Sequence, residues 1–117
     1  MALVLVDARN VLRSRWPNVP ESELVDSVRE WAAAEGHRAV VVFDGRAPER
    51  EATDGCDVVG TRAETADDWL ARRARELAGG GEPYWLVTSD RELRARAGHA
   101  AERTIGGGGF LDVLGLR

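Results

Sequence analysis

Three short apolar runs punctuate the chain, and each stops at or just before an aspartate. Ala2-Leu-Val-Leu-Val6 ends at Asp7, Ala39-Val-Val-Val-Phe43 ends at Asp44, and Tyr84-Trp-Leu-Val-Thr88 is followed by Ser89-Asp90. Unbroken apolar runs of this length predict strands buried on both faces, the habit of a parallel sheet. Asp57–Thr61 and Glu102–Ile105 predict two weaker strands. Helical patterns fill the gaps. A short one lies around Asn10–Arg15. A longer one starts at Glu21 or Ser22 and runs to Glu35, with Leu24, Val28, Trp31 and Ala32 on one face and Gly36 beyond its end. Thr65 caps the clearest helix, which reaches Ala78. Asp68 sits three residues on, as in a capping box, and Ala66, Leu70, Ala74 and Leu77 form the apolar stripe. Arg91–Ala97 and Phe110–Leu116 complete the set. Gly45–Gly55 reads as an exposed loop and Gly106–Gly109 as a flexible connector.

Strands alternating with helices at this spacing predict an α/β fold with a parallel sheet and right-handed crossovers. The 117 residues suit one domain over 1–117, able to bury roughly two-thirds of its unfolded surface. The single cysteine, Cys56, has no internal partner and predicts a reducing, cytoplasmic setting. Neither apolar strand run is long enough to span a bilayer, so no membrane association is expected. All 16 basic residues are arginine. The absence of lysine excludes a P-loop and Schiff-base chemistry.

Open parallel sheets bind ligands beyond the carboxyl ends of their strands. Asp7, Asp44 and Asp90 all stand at that end, and Asp67 joins them from the first turn of the Thr65 helix. These four account for the whole formal charge of -4. Converging carboxylates repel one another and are tolerated around a cation. An all-oxygen set without His or Cys selects hard ions, Mg²⁺ or Mn²⁺. A strand-end aspartate also serves as a helix cap or turn former, and both readings stand at this point.

Asp7-Ala-Arg-Asn10, Val41-Val-Phe-Asp-Gly45, Glu64-Thr-Ala-Asp-Asp68 and Thr88-Ser-Asp-Arg-Glu92 occur in that order and spacing. Together they resemble the NYN branch of the PIN-like nuclease superfamily, most closely its YacP-like bacterial endoribonucleases. The resemblance runs from the first strand to the Gly-rich segment before Phe110. It implies a three-layer α/β/α sandwich with a mostly parallel PIN-like sheet in strand order 3-2-1-4-5. It also implies a Mg²⁺- or Mn²⁺-dependent endoribonuclease acting on RNA, with or without the ribosome as a scaffold. By position, Asp7, Asp44, Asp67 and Asp90 correspond to the family's catalytic metal-binding acids. Asn10 and Ser89 are supporting residues, and Glu64, Asp68 and Glu92 are secondary candidates. The family's Asp-Gly-Tyr-Asn is Asp-Ala-Arg-Asn here, which bears on substrate choice more than on the acidic centre.

Arg9, Arg46 and Arg91 lie within two residues of strand-end aspartates, placed either to hold RNA phosphates or to form ordinary ion pairs. Trp16, between prolines, is expected to pack over the sheet edge, with base stacking as the alternative. Trp31, Trp69 and Trp85 are expected to be core or half-buried, and His37 and His99 have no evident partner. Two further function classes compete with the enzyme. A non-catalytic RNA- or ribosome-binding module on the same fold would keep the pocket without cleavage. A phosphoaspartate receiver or dehalogenase-type phosphatase ranks last, because Asp7 lacks an aspartate two residues on and the chain lacks the usual lysine.

Overall fold

The computed structural model describes residues 2–49 and 55–116. Residues 50–54 of the expected Gly45–Gly55 loop lie outside them. Elements follow in the order β1 (Leu3–Asp7), α1 (Ala8–Arg13), α2 (Glu21–Glu35), β2 (Arg38–Phe43), β3 (Cys56–Gly60), α3 (Ala66–Gly79), β4 (Tyr84–Val87), α4 (Arg91–Ala97), β5 (Arg103–Ile105) and α5 (Gly107–Leu114). The five strands form one sheet in the order β3-β2-β1-β4-β5, and every pairing is parallel.

The apolar strand runs divide between the two faces with the two-residue period of a strand. Val4, Val6, Ala39, Val41, Phe43 and Val87 pack with α1, α2 and α5 through Val11, Leu24, Val28 and Phe110. Leu5, Val40, Val42 and Leu86 pack with α3 and α4 through Leu70, Leu77, Leu93 and Ala97. Helices therefore cover both faces, giving the three-layer sandwich that the resemblance implies. Strand order reverses at β1, which has β2 on one side and β4 on the other. The crevice beyond its carboxyl end is the ligand position that such sheets offer.

The structure differs from the local pattern in four places. Helix α1 starts at Ala8, directly off β1, two residues before the expected start. Helix α5 starts at Gly107, so the supposed connector forms its first turn. A Cβ on Gly107 would stand 2.1 Å from Ser14 Oγ and 3.0 Å from Asn10 Oδ1. Close packing of α5 on α1 thus accounts for a glycine there, against its poor helix propensity. Trp16 does not pack over the sheet edge; it is 88% exposed. His37 does have partners. Its Nδ1 accepts the Ala2 backbone N–H at 3.3 Å, and its ring lies 4.4 Å from that of Trp85 and 5.5 Å from that of Trp31. Cys56 is buried in the core beneath α2, and Trp31, Trp69 and Trp85 are half-buried. Among the described residues, no helix is long and apolar enough to cross a membrane.

Candidate active site

A cavity of about 430 Å³ opens at the carboxyl ends of the central strands, walled by Asp7, Arg9, Asn10, Arg13, Asp44, Thr65, Ala66, Asp67, Asp68, Asp90, Glu92 and Arg96. All four strand-end and helix aspartates meet here, as do Asn10, Asp68, Glu92 and Arg9. Along β1 the pleat turns Leu5 toward α3 and α4 and Val6 toward α1, so Asp7 faces the α3 and α4 side again. Asp44 is drawn to the same side, where its Oδ1 accepts the Ala66 backbone N–H at 3.2 Å. Asp67 comes from the first turn of α3, whose N-cap Thr65 accepts the Asp68 N–H at 3.1 Å. Only that half of the expected capping box forms, because the Asp68 carboxylate pairs with Arg96 at 2.9 Å. Asp90 caps α4 by accepting the Leu93 N–H at 3.0 Å. For Asp44 and Asp90, capping and a place in the acid cluster therefore hold together, each cap bond occupying Oδ1.

Electrostatics follow from this crowding. Six carboxylates face three guanidinium groups in the cavity wall. Asp7 is 6% exposed, and its pKa is raised from the ordinary value of 3.8 to about 6. Burial is the largest cause, and the negative charges of Asp67 and Asp90 add to it. The Thr88 hydroxyl opposes the shift by donating to Asp7 Oδ2 at 3.0 Å. Asp67 is also raised, first by burial and then by Asp90, with Arg96 acting in the other direction. None of the four aspartates forms an ion pair within the described residues. An all-oxygen cluster with net negative charge, in which Asp7 and Asp67 hold their protons more tightly than usual, fits a hard divalent cation in donor chemistry and charge. The cluster is open: among the described residues, no three Asp, Glu, His or Cys side chains are gathered closely enough to enclose an ion.

Other expected site residues lie at the margin. Asn10 acts through the backbone, its Oδ1 accepting the Ser89 N–H at 2.8 Å. The Ser89 hydroxyl accepts the Gly107 N–H at 2.8 Å rather than lining the cavity. Glu64 is outside the cavity wall and binds Arg72 through both carboxylate oxygens. Arg9 forms an ion pair, at 3.5 Å, with Glu21 rather than with a strand-end aspartate, and its Nε donates to the Asp44 carbonyl at 3.2 Å. Arg46 lines a neighbouring groove with Arg9 and Arg62, and Arg91 is exposed outside both cavities. Arg13 and Arg96 in the cavity wall, and Thr88 beneath Asp7, were not among the expected site residues. Arg9 with Arg13, and Glu92 with Arg96, have the four-residue spacing that shares a helix face, which was the available signal. Thr88 opens the Thr88-Ser-Asp-Arg-Glu92 motif, but nothing local to a threonine that ends an apolar strand marks it as the donor to Asp7.

A protein-family model described as the YacP-like NYN domain matches residues 4–104. A crystal structure of Rae1 (YacP) from Bacillus subtilis is similar to the chain with a TM-score of 0.76 and 23% sequence identity, covering 98% of this chain and 74% of that one. A tryptophan-to-leucine mutant of the same Bacillus subtilis protein gives a TM-score of 0.77 and 25% identity, covering 98% of this chain and 76% of its own. No curated protein sequence matches the chain.

Proposed function

This chain belongs to the YacP-like NYN domain family, within the PIN-like nuclease superfamily, and from that premise we propose that it is a divalent-cation-dependent endoribonuclease formed by a single domain over residues 1–117. The observation that carries the reading is that Asp7, Asp44, Asp67 and Asp90 line one cavity, none of them in an ion pair among the described residues. These four would hold Mg²⁺ or Mn²⁺. The ion, when bound, supplies a Lewis acid that polarises a phosphoryl oxygen and makes water nucleophilic at neutral pH.

The chain's own residues do the rest. Thr88 fixes one oxygen of Asp7 and leaves the other outside that bond. Asn10 holds the Ser89-Asp90 turn by its backbone, so that Asp90 reaches the cavity at a fixed place. Arg9, Arg13 and Arg96, spread around the acids, neutralise the approaching phosphodiester. Arg46 and Arg91 contact phosphates farther along the strand. Glu64, Asp68 and Glu92 tune the charge of the rim. No side chain serves as nucleophile. The lone buried thiol of Cys56 suits a reducing cytoplasm.

A second reading, a non-catalytic RNA- or ribosome-binding module, draws on the open spacing of the acids. One experiment separates the two. A labelled mixed-sequence RNA is incubated with the chain in Mn²⁺, Mg²⁺ or chelator, beside Asp7→Asn and Asp67→Asn. Ion-dependent cutting that both variants lose is the expected result. RNA binding without cutting under any ion would support the module, and cutting that persists in chelator would contradict the metal centre.

A further inference from the structure

Only Trp16 and Val113 are exposed among the large apolar side chains of the described residues. Trp16, at 88%, is nearly as open as an indole can be. It forgoes the large apolar burial for which tryptophan is suited. Its backbone is nonetheless held firmly. On one side Arg15 donates to the Gly108 carbonyl at 3.0 Å and pairs with Asp112 at 2.6 Å, tying the loop to α5. On the other, the Asn18 amide faces the carbonyl oxygens of Leu12 and Arg15 at 2.8 Å each, where its N–H₂ donates to the end of α1. Pro17 and Pro20 stiffen the same stretch. An aromatic ring offered to solvent on a held backbone is already organised to receive another flat surface.

Its position indicates which surface. Asn18, Val19 and Pro20 of this loop line a cavity of about 310 Å³ together with Arg9, Leu12, Arg13 and Glu21. Arg9 and Arg13 also line the carboxylate cavity. The two cavities thus share a wall formed by two arginines whose backbone positions stand about 6 Å apart along α1, at 1.5 Å per residue. From the acids outward, the chain presents the acid cluster, then the two arginines, then the loop that bears the indole. That is the order a single-stranded polynucleotide needs: scissile phosphate, neighbouring phosphate, unpaired base. Resting on the nuclease reading, we propose that Trp16 is a stacking platform for an unpaired nucleobase of the RNA held at the acid cluster. A duplex buries its base faces within its own stack, so this platform selects single-stranded substrate.

The test uses the whole chain and a short labelled single-stranded RNA, with anisotropy as the binding signal and Ca²⁺ as the non-reactive probe ion. Trp16→Ala should weaken binding roughly tenfold, the worth of one stacked base, while Trp16→Tyr keeps most of it. An abasic RNA that loses affinity for the unmodified chain should lose no more with Trp16→Ala. The exposed position predicts an unchanged melting temperature, so folding does not confound the reading. Equal affinity of Trp16→Ala and the unmodified chain, with cutting retained, overturns this proposal and leaves the nuclease reading standing. Failure of the unmodified chain to bind RNA overturns both. Self-association that is independent of RNA and lost in Trp16→Ala would make the indole a protein contact and overturn the stacking role.

Discussion

Thr88 Oγ1 lies 3.0 Å from Asp7 Oδ2, a buried hydrogen bond between residues 81 apart in sequence. The same oxygen accepts the Asp90 backbone N–H at 3.2 Å, so one fully buried hydroxyl positions two of the four acids. Thr88→Val keeps the shape and removes both bonds. The expected cost is about 1–3 kcal/mol in urea unfolding at neutral pH, because a buried carboxylate and a backbone donor lose their partner. Thr88→Ser should lose less, since the hydroxyl remains. Equal stability of the valine variant and the parent would refute the positioning role.

The raised pKa of Asp7 makes the cation-free protein less stable as pH rises. Between the unfolded value of 3.8 and the folded value of about 6, the unfolded chain gives up its proton first. Stability therefore falls across that window, by up to about 3 kcal/mol from this group, and levels off above it. Asp67 is shifted in the same direction. Urea midpoints from pH 4 to pH 8 measure the effect, and subtracting the curve of Asp7→Asn isolates Asp7. A difference curve that is flat across the window would contradict the assignment.

Cation binding should reverse that penalty. Mn²⁺ at a hundred times its Kd stabilises the folded chain by about 2.7 kcal/mol, and chelator removes the gain. Asp67→Asn relieves repulsion and should raise the melting temperature without ion, while abolishing the Mn²⁺-induced rise. Thermal scans with and without ion read both effects. A variant that is destabilised yet still responds fully to Mn²⁺ would indicate a purely structural Asp67.

Gly107 couples the last helix to the site. Gly107→Ala places a methyl against Ser14 Oγ and Asn10 Oδ1, the latter being the acceptor of the Ser89 N–H. The expected loss is about 1–3 kcal/mol from overpacking. Ser14→Ala removes the nearest atom, so the double variant should recover part of the loss in the same unfolding assay. Additive losses would show that the two positions do not meet.

Strand identity and parallel character were legible because Val4, Leu5 and Val6 must satisfy two apolar layers at once, which leaves no polar alternation. Strand order was not: periodicity says which residues are buried but not which strand lies alongside, and the order came from the family resemblance. The convergence of Asp7, Asp44 and Asp90 followed from that order, since neighbouring strands end at one rim. What stayed hidden depended on contacts between distant segments. Glycines at 106–109 weaken a helix locally, and only the proximity of α1 explains one beginning there. His37 gained distant partners from Ala2 and from Trp85 of β4, besides Trp31 of the helix just before its turn. Trp16 was misjudged because apolar character usually means burial, and nothing local marks the indole that stays outside.

Shared cation binding by side chains from four segments is the claim beneath the rest, and Mn²⁺ titration followed by ¹⁵N–¹H spectra measures it most directly. Paramagnetic broadening falls steeply with distance from the ion. The account predicts that the first amides to vanish at substoichiometric Mn²⁺ are those around Asp7, Asp44, Asp67 and Asp90 together, and that Asp67→Asn blunts the effect at all four. Broadening that begins elsewhere, or that touches one of these segments without the others, would contradict it.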